Sequence, residues 1–370
     1  MSRWHEPAPG EREASQRSWP VVRSAFAARE AVPRRRARWP IVAVMAGAAV
    51  VAASLSPPGL AVLGSIRDAV RGEPNAKPAL FSLPTQARLL VNSSRGAWVV
   101  QRDGSKRLLK DYRDASWSPN GVYLAAVNGH ELRALEPDGD VHWTLARPGR
   151  VAAPRWSDAS PPCCRIAYLA GESLRVVNGD GTGDRLLADA VRPTAPAWRP
   201  HTHQLAYVNA AGNIEVADAD SRAHLWKVDT SAPFRLAWSD DGRRLLALSV
   251  SSLAIYRGDG RLLATAPVGG VATTAAFVPR SHAVSLVRRL RGSSYVELTS
   301  ETDLRARRRL FSAAGNFGEA AWSPGGRWLL IAWDAADQWL FVRSAVVRKA
   351  VSGITESFGE EPSVAGWCCR

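Results

Sequence analysis

Six stretches of this chain repeat one another: ASWSPNGVYLAAV from Ala115, PRWSDASPPCCRIAYLA from Pro154, PAWRPHTHQLAYV from Pro196, LAWSDDGRRLLAL from Leu236, AAFVPRSHAVSLV from Ala275 and AAWSPGGRWLLIA from Ala320. Their aromatic residues, Trp117, Trp156, Trp198, Trp238, Phe277 and Trp322, stand 39, 42, 40, 39 and 45 residues apart. Self-similarity at such a period belongs to solenoids, propellers and arrays, in which each unit buries its apolar face only against its neighbours.

Each unit has the same internal order. An aromatic strand leads into a turn of Ser, Pro, Asp, Asn or Gly, residues suited to tight reversal. A second strand rich in Leu, Ala, Tyr and Val follows. Next comes an alternating strand ending in a hairpin: ELRALEPDG, SLRVVNGDG, NIEVADADS or SLAIYRGDG. Alternation marks half-buried strands, and Asp-Gly is a strong hairpin signal. A fourth strand, such as RLLAT from Arg261, closes the unit. Four strands in about 40 residues make one propeller blade.

The ends complete the count. Residues 87–110 carry the second, third and fourth strands of a blade, and Trp367 stands another 45 residues after Trp322, in the first-strand slot. Phe81 is the rival for that slot. The expected fold is therefore all-β: a seven-bladed β-propeller over 87–370, about 41 residues per blade (284/7), with its two ends knitted together. Such closure removes exposed sheet edges.

The repeat resembles the WD-repeat-like units of TolB-type β-propellers. Trp117-Ser118-Pro119-Asn120-Gly121 and Trp322-Ser323-Pro324-Gly325-Gly326 carry the likeness, and Phe277-Val278-Pro279 departs from it. The resemblance covers roughly residues 80–370 and implies fold. For function it implies only a docking platform, a ligand sensor or an enzyme accessory domain.

Charge is concentrated ahead of the repeats. Residues 1–38 hold nine arginines, four glutamates and neither Lys nor Asp, and Arg34-Arg35-Arg36-Ala37-Arg38 abuts an uncharged run from Trp39 to Ile66. Arginines bordering an apolar run follow the positive-inside rule, and Pro40–Leu63 is long enough to span a bilayer as a helix. The expected order is a basic cytoplasmic tail (1–38), a transmembrane signal-anchor (39–66), a linker (67–86) and an extracytoplasmic propeller (87–370). A cleavable signal peptide and a buried soluble helix are the alternatives. Trp19, Val22 and Phe26 recur at helical spacing, either as a docking helix or as chance in a disordered tail. Nothing in the arginine pattern matches a nucleic-acid-binding module.

Chemical motifs are sparse. The chain has no G-x-S-x-G elbow, H-E-x-x-H pair, Walker loop or dinucleotide fingerprint. His201 and His203 share a turn without further metal ligands. Asn178, Asp180, Thr182, Asp184 and Asp189 partly imitate a calcium loop, but sister blades place plain hairpins there. Cys163-Cys164 and Cys368-Cys369 allow vicinal disulfides, a bridge between the pairs, or free thiols. The repeated tryptophans read as wedges between blades. Arg288-Arg289-Leu290-Arg291 and the segment Arg305 to Arg309 read as solvated turns or as contacts for anionic partners. No catalytic, cofactor-binding or metal residue is assigned, and no cofactor. The expected function is a non-catalytic binding or protein-interaction module for protein partners or an envelope polymer. An anti-sigma-like sensor and a propeller-mouth lyase or hydrolase are the alternatives.

Overall fold

The computed structural model describes residues 82–109, 111–159 and 164–369. They form seven four-stranded antiparallel sheets. Six sheets run in simple chain order and are named here by their aromatic residue, from the Trp117 blade to the Trp322 blade. The seventh, the closing blade, joins the strand Ser363–Cys368 to Arg88–Ser93, Gly96–Val100 and Lys106–Leu109. Trp367 pairs with Leu89 there and fills the first-strand slot. Phe81, the tail and the predicted span Trp39–Ile66 lie outside the described residues. Among the described residues no helix is long and apolar enough to cross a membrane. The end of the linker docks on the ring, with Leu83 buried and its N–H donating to the Arg102 carbonyl at 2.7 Å.

First strands neighbour one another around the axis, so the ring closes. Each first strand starts on one face, here called upper, and ends at its aromatic turn on the lower face. The hydrophobic core is divided into slabs, one at each of the seven junctions between blades. Strand periodicity makes this possible: Leu124 and Ala126 face the closing blade, whereas Ala125 and Val127 face the Trp156 blade. Both faces of a second strand are covered, which explains its nearly unbroken apolar run. Outer strands such as Val141–Ala146 alternate with solvent instead.

The repeated aromatics act as inter-blade staples. The indole N–H of Trp198, Trp238 and Trp367 donates to the carbonyl of Arg155, Ala197 and Ala321 at 2.8, 3.1 and 3.2 Å. Each acceptor is the residue just before the preceding blade's own tryptophan. Trp322 reaches Ser285 Oγ at 2.9 Å, and that hydroxyl donates to Ala276, just before Phe277, at 3.1 Å. Trp117 and Trp156 break the pattern, because their buried Nε1 atoms have no hydrogen-bond partner.

The serine that follows four of these tryptophans is equally structural. Oγ of Ser118, Ser157, Ser239 and Ser323, all buried, accepts the N–H that starts the second strand at 2.8–3.1 Å. Gly121, Gly242 and Gly326 then take left-handed φ near 66°. Where glycine is missing, His201 (φ 59°) and Arg280 (φ 62°) turn left-handed one place earlier. Their N–H groups are held by Asp158 and Asp240 of the preceding blade at 2.8 and 2.7 Å.

Cys368 and Cys369 form a vicinal disulfide that packs on Gly121 of the next blade. Cys164 is disulfide-bonded too, and the described residues hold no free cysteine. With Cys368 and Cys369 joined to each other, the bridge between the pairs is not formed. Packing, not a covalent crosslink, holds the terminal strand to its neighbour.

Candidate binding site at the axial channel

Three residues before the repeated aromatics stand Asp114, Ala153, Ala195, Arg235, Thr274, Glu319 and Val364. This position opens each first strand on the upper face, beside the axis. Small residues are expected where seven strands converge, so the charges at Asp114, Arg235 and Glu319 are exceptions. A fourth charge, Arg155, joins them through a local irregularity. The Trp156 blade bulges between Ala152 and Arg155, with Ala153 at φ 50° and its N–H donating to Asp114 Oδ2 at 2.7 Å. Bulges re-aim a side chain without ending the strand.

The four side chains line an axial cavity of about 330 Å³ together with Asn92 and Phe234. Arg235 pairs with Glu319 at 3.2 Å. Arg155 donates to its own neighbour's carbonyl, Pro154, at 2.7 Å and stands 4.0 Å from Asp114. Its side chain keeps 40% of its surface open to the channel, but surrounding protein replaces bulk water. Desolvation therefore pulls the guanidinium below its ordinary pKa, Asp114 opposes that shift, Arg235 adds to it and Glu319 opposes it. Two cations and two carboxylates leave the tetrad neutral, and Phe234 is 40% exposed at its edge.

An acidic recess of about 460 Å³ adjoins this cavity and shares Glu319 and Ser363 with it. Asp334, Glu360 and Glu361 also line the recess. Burial pushes the Asp334 carboxyl above the usual carboxylate range, and Glu319 pushes it further. The upper face thus offers a neutral charge tetrad at the axis, an acidic sector and exposed Phe234, Val250 and Val271.

Among the described residues no histidine lines either cavity, although His130 lies on an upper-face hairpin. His142, His201, His203, His224 and His282 are on the lower face, against Glu136, Asp158, Asp220, Glu215 and the pair Asp241/Glu301 respectively. The imitation calcium loop is a hairpin: Asp180 accepts the Thr182 N–H at 2.9 Å, whereas Asp184 is held by Arg147, Arg175 and Tyr168. The arginine segments are mostly engaged. Arg288 forks onto Glu297 at 2.8 and 2.9 Å, Arg289 donates to Asn316, and Arg307 donates to the Val268 carbonyl.

Sequence reasoning assigned no site residue and did not single out Asp114, Arg155, Arg235 or Glu319. For Asp114, Arg235 and Glu319 the available signal was a charge at one fixed offset from the aromatic, in a slot where sister blades carry Ala, Thr or Val. Arg155, one residue before Trp156, carried no such signal.

Neither a protein family nor a curated protein matches the chain. Solved structures do. The C-terminal WD40 domain of Sif2 is 14% identical, with a TM-score of 0.54, over 79% of this chain and 85% of that one. A chain of a mitotic checkpoint complex is 16% identical, TM-score 0.55, over 72% of this chain and 92% of that one. The dihydro-heme d1 dehydrogenase NirN is 16% identical, TM-score 0.56, over 75% of this chain and 65% of that one. The fold is a WD40-like seven-bladed propeller. At these identities the likeness extends to fold alone, and a chain of a checkpoint complex and a dehydrogenase share it.

Proposed function

We propose that this chain is a membrane-anchored, extracytoplasmic propeller that works as a non-catalytic binding module for a protein or an envelope polymer. The carrying observation is the upper face, where a stapled ring presents the charge tetrad, the acidic recess and exposed apolar side chains together. Apolar contact area rimmed by fixed charge suits protein recognition. A chain of the mitotic checkpoint complex carries a similar fold within an assembly. The arginine-bordered apolar run Trp39–Ile66 supports an anchor with the bulk of the chain outside. A catalytic mouth gains support from histidines beside the acids, whereas the paired histidines described above are on the other face.

The test is topology. In sealed right-side-out vesicles, external protease digests the propeller of the full-length chain and leaves a tag on the tail intact. A propeller that survives until detergent is added overturns the extracytoplasmic assignment.

A second reading, an anti-sigma-like transmembrane sensor, draws on Arg155. A partly desolvated guanidinium with only a distant carboxylate suits a small anionic ligand in the axial cavity. Transplanting the propeller onto an unrelated tail and span leaves a pure binding module working and disables a sensor.

A further inference from the structure

On the lower face, side chains bridge four of the seven junctions between blades in one of two ways, and the others lack either bridge. Trp143 and Trp226, on outer strands, cross to the next blade and donate to the Gly179 and Gly258 carbonyls at 2.9 and 3.0 Å. They lie on the Gly-Asp-Gly hairpins there. At two other junctions a cation meets a carboxylate from the neighbouring blade: Arg165 with Asp220 at 2.6 Å and Arg244 with Glu301 at 2.6 Å.

The junction between the Phe277 and Trp322 blades shows neither arrangement. Its hairpin is cut to a two-residue turn, Ser344-Ala345, with both residues left-handed at φ 51° and 61°. Beside it lies a groove of about 600 Å³, with Leu298, Leu310, Leu329 and Val342 among its lining residues. Arg308, Arg327 and Arg343 line the same groove, and all three are exposed. None has a carboxylate partner among the described residues, and no acidic side chain lines the groove. Arg343 stands over the Trp328 ring at 5.7 Å, which leaves its N–H groups open to a ligand.

We infer that this groove is a docking site for an extended acidic peptide segment of a partner protein. Three unpaired guanidinium groups fit side-chain carboxylates, which they grip by two-pronged hydrogen bonds. The aliphatic lining accepts an apolar side chain between those carboxylates. A lipid surface is planar and does not reach the floor of a concave cleft, so the complementary shape is a peptide.

The test uses the full-length chain in detergent micelles and a short fluorescent peptide of Glu, Leu and Gly, followed by anisotropy. A matching Lys peptide, a Glu-Gly peptide and anionic phosphatidylglycerol vesicles serve as comparisons. The Glu-Leu-Gly peptide binds, weakens with salt, and loses about tenfold in affinity with R308Q/R343Q. Replacing its Leu by Gly weakens it as well. R150Q, on the upper face, leaves binding unchanged and controls for net charge. Equal binding by the Lys peptide, an unchanged affinity in R308Q/R327Q/R343Q, or binding to vesicles without binding to the peptide each overturns the proposal.

Discussion

Gly260 shows how much one residue settles in this ring. Its φ of 86° is a left-handed value, and a Cβ there would stand 2.9 Å from the Trp226 ring of the preceding blade. Gly260→Ala thus meets backbone strain and a clash together, at a cost of about 1–3 kcal/mol measured by urea unfolding. Asp241 gives a pH signature. Burial alone would raise its pKa, but hydrogen bonds from Ser239, the Arg243 N–H and His282 hold it at about 2, below its ordinary 3.8. A depressed carboxylate stabilises the fold above its unfolded pKa, and that contribution fades as pH falls from about 4 to about 2. Asp241→Asn is accordingly less stable than wild type at neutral pH, and the gap narrows across that acid window in pH-dependent melts.

Residue roles were unevenly legible. The Trp-Ser turns and Asp-Gly hairpins were plain in the sequence because each is a local solution repeated in several blades. Asp114, Arg155, Arg235 and Glu319 were hidden, because they meet only after four different blades have converged on the axis. The bulge that aims Arg155 leaves no mark beyond Pro154, and the unpaired arginines of the lower groove look no different in sequence from the paired Arg288.

At the scale of elements, indole hydrogen bonds distinguish otherwise similar tryptophans. Trp198→Phe removes an N–H donor from the Arg155 carbonyl, whereas Trp117→Phe removes a buried donor that has no partner. The first is the more destabilising by about 1–2 kcal/mol, since a made hydrogen bond is lost in one case and an unsatisfied group is relieved in the other. Matched losses in the two variants would show that the indoles act by volume alone. The closing strand Ser363–Cys368 is the other sensitive element. Ending the chain after Pro362 bares the edge of Arg88–Ser93, so the shortened protein is expected to aggregate on heating.

The whole molecule repeats one solution seven times, and that repetition is why its architecture was readable from spacing. Blades lack private cores; each buries its sheet against two neighbours, so stability belongs to the closed ring. Function has no such redundancy. The surfaces proposed for it stand where the repeat is interrupted: charge at the axis of the upper face, and an arginine-lined groove on the lower one.

The most direct measurement of the central claim is crosslinking in native membranes, with the full-length chain compared against the same propeller on an unrelated tail and span. A binding module predicts the same envelope partner from both, linked through the propeller. Recovery of a cytoplasmic protein only with the native tail, and of no common partner through the propeller, would contradict it.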